Sequence, residues 1–115
     1  MAYPTDLTSQ LKAGDRVLKY IPLKYGWVAL TEERVLYNAR VYYADEKKSQ
    51  VETANLPISK ISSMSVKQNT VKTCIFKKRF AVLKINMQGA VYDIELGKDG
   101  SAAQPLIAEF NARSG

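Results

Sequence analysis

Apolar residues along this chain recur with a period of two over most of its length, and with a period of 3.6 only at its end. Between Arg16 and Leu96 short alternating stretches are split by turn signals, the pattern of successive β-strands with one face on a core. Arg16–Lys24 (RVLKYIPLK) comes first, and Pro22, which cannot donate to a ladder, marks an edge or a bulge there. Gly26 allows a tight reversal into Trp27–Thr31 (WVALT). Glu32-Glu33 makes a second turn into Arg34–Tyr43 (RVLYNARVYY), rich in β-branched and aromatic residues. The polar run Ala44–Gln50 is a loop, and Val51–Asn55 resumes until Leu56-Pro57-Ile58 interrupts it. Ile61–Gln68 and Val71–Phe76 follow as two further strands. Phe80–Met87 alternates cleanly, with Ala81, Leu83, Ile85 and Met87 on one face and Phe80, Val82, Lys84 and Asn86 on the other. Gln88-Gly89 turns the chain into Ala90–Leu96, with Tyr92, Ile94 and Leu96 inward and Asp93 and Glu95 outward.

The period changes after the punctuation Gly97-Lys98-Asp99-Gly100-Ser101. Ala103, Leu106, Ile107 and Phe110 fall at i, i+3, i+4 and i+7, one apolar stripe of a short helix with Pro105 in its first turn. A helix of three turns does not hold alone in water, so it must pack on the sheet. The pattern predicts a mainly β (α+β) fold: an antiparallel sandwich or partly open barrel of about seven strands, capped by one C-terminal α-helix. Residues 1–15 read as a lead-in, with Ala13-Gly14-Asp15 as the turn into the first strand. Residues 16–113 read as a single domain, without repeats or an internal linker.

Composition narrows the setting. With 115 residues and 46% hydrophobic content the chain can bury roughly two-thirds of its unfolded surface without disulfide staples. Its lone cysteine, Cys74, excludes an internal disulfide framework and fits a reducing compartment. MAYPTDLTSQ lacks the basic-then-apolar order of a signal peptide, and no apolar run approaches the roughly 18–20 residues needed to span a bilayer. The expected location is the cytoplasm, including the inner face of the membrane.

Charge changes the picture more. The net charge is +6, and seven of the seventeen cations (Lys60, Lys67, Lys72, Lys77, Lys78, Arg79, Lys84) fall in a segment without a single acid. The remaining ten cations face all eleven acids, so this one segment carries the whole excess. A block of one sign attracts phosphate, anionic lipid or an acidic partner, while solvated lysines on strands also discourage edge-to-edge aggregation.

Catalytic chemistry is sparse. There is no histidine, which removes the commonest general base and metal ligand. Cys74 therefore cannot form a Cys–His nucleophile within one chain and reads as a structural thiol. The adjacent acids Glu32-Glu33 and Asp45-Glu46 sit in turns, and no glycine-rich phosphate loop is present. No enzyme activity, cofactor or metal is expected.

Two local patterns add to this reading. Ala29-Leu30-Thr31-Glu32-Glu33-Arg34-Val35-Leu36-Tyr37 and Leu56-Pro57-Ile58-Ser59-Lys60-Ile61-Ser62-Ser63-Met64 stand in order ahead of the terminal helix. Over roughly residues 12–113 the chain thus resembles the bacterial pleckstrin-homology-like (PH-like) domains, and more distantly the GRAM branch of that superfold. The resemblance implies a PH-like barrel without catalytic residues. It also implies a headgroup site in the loop joining the first two strands, but here that loop centres on Lys24-Tyr25-Gly26, too short for a basic pocket.

The function expected is a non-catalytic interaction module. Protein binding or self-association leads, since Phe76, Phe80 and Val82 facing outward would form an exposed apolar patch. Peripheral binding to anionic lipid headgroups through the basic segment is the alternative, nucleic-acid binding a further one, and a structural role in a larger assembly the last. Candidate contact residues are Lys72, Phe76, Lys77, Lys78, Arg79, Phe80 and Lys84. Lys24, Tyr25, Trp27 and Arg34 are secondary: Trp27 is either a core aromatic or an inserting one, and Arg34 either pairs with Glu32 or Glu33 or touches a ligand.

Overall fold

The computed structural model describes residues 3–24, 26–42, 49–72, 75, 77–98 and 100–114. Among these residues seven strands form one antiparallel sheet curled into a half-barrel: β1 (Val17–Leu23), β2 (Gly26–Thr31), β3 (Arg34–Tyr42), β4 (Ser49–Pro57), β5 (Ile61–Lys72), β6 (Lys77–Met87) and β7 (Ala90–Gly97). The neighbour order is β1-β2-β3-β7-β6-β5, with β4 paired to β3. A short helix, α1 (Thr5–Thr8), precedes the sheet, and α2 (Gln104–Ser114) follows it. The mainly β architecture with a terminal helix is the one the alternation requires.

Turn chemistry fixes the hairpins. Thr31 Oγ1 accepts from the backbone N–H groups of Glu33 (3.3 Å) and Arg34 (3.0 Å) and donates to the Arg34 carbonyl (3.2 Å), closing the β2–β3 turn. Gln88 and Gly89 both adopt positive φ, 49° and 87°, which matches the right-handed twist of β6 and β7. At Gly26, φ is 138° and a Cβ would lie 1.7 Å from the Asn38 carbonyl oxygen, so β2 crosses β3 where only glycine fits.

The main core fills the concave side. Val28, Leu30, Val35, Tyr37, Leu83, Ile85 and Ile94 are buried there. Ala103, Leu106, Ile107 and Phe110 complete it, so the expected apolar stripe is the packed face of the terminal helix.

The structure corrects three expectations. No break separates 61–68 from 71: β5 runs on to Lys72, its register to β6 continuing through Asn69↔Phe80 and Thr70↔Arg79, while 73, 74 and 76 of the expected strand 71–76 lie outside the described residues. Phe80 and Val82 do face away from the main core, but they are buried, packed with Tyr42 in a separate cluster. The Tyr42 and Phe80 ring centroids are 4.9 Å apart. Asp93 and Glu95 are likewise buried on that second face, where Tyr42 Oη donates to Glu95 Oε1 at 2.8 Å and Lys67 Nζ lies 3.2 Å from Asp93 Oδ2. The N-terminal residues also pack on the sheet. Leu7 is fully buried against Trp27, Ala29 and Leu36 on the convex side of β2 and β3, with Tyr3 and Leu11 beside it.

Candidate binding surface

The β5–β6 pair is the longest in the sheet and runs past its neighbour. β7 pairs with β6 only from Ala81↔Gly97 to Met87↔Ala90, while β5 and β6 stay paired to Lys72↔Lys77. Residues 77–80 of β6 and 69–72 of β5 thus form a two-stranded ribbon projecting about 13 Å beyond the last β7 pair, at roughly 3.3 Å per residue. Phe80 roots this ribbon in the Tyr42 cluster.

Cations crowd the far end. Lys72 and Lys77 are register partners, Lys78 lies opposite Val71, and exposed Arg79 lies opposite Thr70. Like charges directly opposite each other destabilise an antiparallel pair, and this segment holds no acid to offset them. In the connection between the strands, Ile75 is 90% exposed, more than any other large apolar residue among those described. A cationic ribbon thus ends in an exposed aliphatic side chain.

The candidate residues separate accordingly. Lys72, Lys77, Lys78 and Arg79 come together at the ribbon end. Phe80 lies at its base, buried, and is no contact residue. Lys84 lies back in the sheet, half-buried and in register with Asp93. Phe76 and Tyr25 lie outside the described residues, as does Cys74. Lys24 is exposed at the β1–β2 turn, which is tight, Leu23 pairing with Gly26.

Trp27 is 3% exposed and inserts into nothing: its indole N–H donates to Asp6 Oδ2 at 2.9 Å. Arg34 pairs with neither Glu32 nor Glu33; its guanidinium bonds the Asp15 carboxylate and the Gln10 carbonyl, and Glu32 is taken by Arg16 at 2.9 Å. Alternation did not single out Ile75 as exposed.

A concavity of about 720 Å³ opens between the β2–β3 turn, the end of β4 and the last turn of α2. It brings together parts of the two local patterns noted in the sequence, Glu32, Glu33 and Arg34 with Pro57, Ile58 and Ser59. Charges of both signs line it, and Arg34, Glu32 and Arg113 are held by internal partners. It therefore presents no field of one sign to a ligand.

Among the described residues no group of three or more His, Cys, Asp or Glu side chains is arranged to hold a metal ion, and no helix is long and apolar enough to cross a membrane. No protein-family model, curated protein or solved structure matches the chain.

Proposed function

We propose that this chain is a non-catalytic binding module of the PH-like type that docks on an anionic membrane surface through the β5–β6 ribbon. The observation that carries the reading is the exposed Ile75 at the end of a ribbon whose cations have no acid in their own segment. An exposed aliphatic residue in the connection between two strands rich in cations suits an interface in which phosphates lie above acyl chains. Self-association through Phe76, Phe80 and Val82 loses two of its three residues, because Phe80 and Val82 are buried within the chain, while Phe76 lies outside the described residues. A nucleic-acid platform loses support at Phe80 for the same reason, since stacking on bases needs an exposed ring.

Magnitudes set the strength. Four cations at about 1 kcal/mol each give roughly 4 kcal/mol, which is only millimolar binding. Inserting one isoleucine adds about 2 kcal/mol and brings the total to tens of micromolar, reversible and salt-sensitive.

Co-sedimentation with vesicles of neutral lipid, and of neutral plus anionic lipid, tests the reading. Binding should require the anionic lipid and weaken with salt. The triple variant Lys77→Glu, Lys78→Glu, Arg79→Glu should lose it, and Ile75→Ser should weaken it about tenfold or more. Binding that ignores lipid charge would sink the proposal. So would a wild-type chain that prefers an oligonucleotide at matched salt.

A further inference from the structure

Five charged residues among those described line the concavity between the β2–β3 turn, the end of β4 and the last turn of α2. Three of them are taken by partners that do not line it: Arg16 holds Glu32, Asp15 holds Arg34 and Glu109 holds Arg113. The other two, Lys12 and Glu33, are exposed, and neither side chain has a partner among the described residues. Opposite charges thus line one hollow without pairing with each other. The floor is apolar, built from buried Ile58 and Ile61 with half-buried Pro57. The exposed Asn55 side chain, also without a partner among the described residues, adds one amide.

We propose that this hollow binds a short zwitterionic peptide, its free ammonium on Glu33, its free carboxylate on Lys12 and an aliphatic side chain on Ile58 and Ile61. The volume, about 720 Å³, lies within the range of small-molecule sites, which pair an apolar lining with a few polar groups. Charge complementarity selects the class. A ligand of zero net charge that carries both signs satisfies both unpaired groups, whereas a simple anion or cation meets one of them with its own sign. Asn55 both donates and accepts, which matches a peptide bond.

Backbone contacts fix both charged residues in place. The Lys12 N–H donates to Asp15 Oδ2 at 2.7 Å, and the Glu33 carbonyl accepts from the Ile58 N–H at 2.9 Å. The second bond ties the residue that supplies the carboxylate directly to the apolar floor. Groups held this way lose little freedom when a ligand arrives. Ile61, which lines the hollow, starts β5, and Lys72, at the end of the basic ribbon, finishes it. The two sites share no residue, so this one stands independently of the membrane reading.

Titration of the isotope-labelled chain with leucyl-leucine, followed by NMR, tests the proposal. The Asn55 side-chain amide and the Ile58 and Ile61 methyl signals should shift saturably at millimolar peptide. Amidating the carboxyl end or acetylating the amino end should each weaken binding about tenfold, the loss of one charged contact. Lys12→Gln should abolish the effect of amidation and keep that of acetylation, and Glu33→Gln should do the reverse. Both residues are exposed, so neither variant should change thermal unfolding. No saturable shift, equal binding of the blocked and free peptides, or variants that lose both effects together would overturn the proposal. So would tighter binding of free leucine or of phosphoethanolamine, zwitterions that lack the peptide bond.

Discussion

The indole N–H of Trp27 donates to Asp6 Oδ2 at 2.9 Å, joining the N-terminal segment to the second strand across 21 residues of chain. The same oxygen accepts from Asn38 Nδ2 at 2.6 Å on the third strand. One carboxylate thus holds α1 over the convex side of the sheet, where Leu7 completes a buried cluster with Trp27, Ala29 and Leu36. Without that cover, two strands would offer apolar side chains to water on both faces.

This arrangement predicts that Leu7→Ala destabilises the domain by about 2–4 kcal/mol, the cost of a cavity at a fully buried leucine. Chemical denaturation followed by Trp27 fluorescence measures it. A change within about 0.5 kcal/mol would show that the segment is dispensable.

Acid should loosen the same segment. Hydrogen bonds from Asn38 and then Trp27 hold the Asp6 carboxyl below its ordinary value. The backbone N–H of Lys12, and then Arg34, do the same for Asp15. Carboxylates with a depressed folded-state pKa add stability that is complete above the unfolded value, about 4, and is lost as pH falls through the folded value. The expected outcome is a denaturation midpoint that these groups leave flat from about pH 5 to 8 and that falls steeply below about pH 4. The double variant Asp6→Asn, Asp15→Asn should be less stable at neutral pH and show a shallower acid limb. An unchanged limb would mean that neither carboxylate is coupled to folding.

Phe80→Ala should behave as a core truncation, losing about 3–5 kcal/mol, because the ring is buried against Tyr42. The Arg79→Glu neighbour, exposed in the ribbon, should leave the unfolding midpoint nearly unchanged. Thermal unfolding of the two single variants separates a ring that anchors the ribbon from one that serves as a contact.

Gly26→Ala should be among the most damaging small substitutions. The added methyl meets the Asn38 carbonyl at 1.7 Å, and the φ of 138° is one that side chains rarely adopt. A loss of about 2 kcal/mol or more is expected, with the β2–β3 register disturbed. A near-neutral midpoint would require that β2 has room to move away from β3.

Alternation and turn chemistry determined much of this protein without help from distant residues. The Thr31 turn, the Gln88-Gly89 reversal and the packed stripe Ala103, Leu106, Ile107 and Phe110 all follow from spacing within a few residues. So does the concentration of cations between Lys60 and Lys84. A period of two assigns residues to faces, but it does not say what covers the second face. Phe80 was legible as pointing away from Leu83 and Ile85; that Tyr42, 38 residues earlier, would bury it depended on the sheet's curl. Asp6 bonding Trp27, Asp15 rather than Glu32 or Glu33 taking Arg34, and the exposure of Ile75 in the connection between β5 and β6 were decided the same way. Local sequence sets the backbone's direction and the side of each residue. Only the folded chain decides which of those sides meets protein and which meets water.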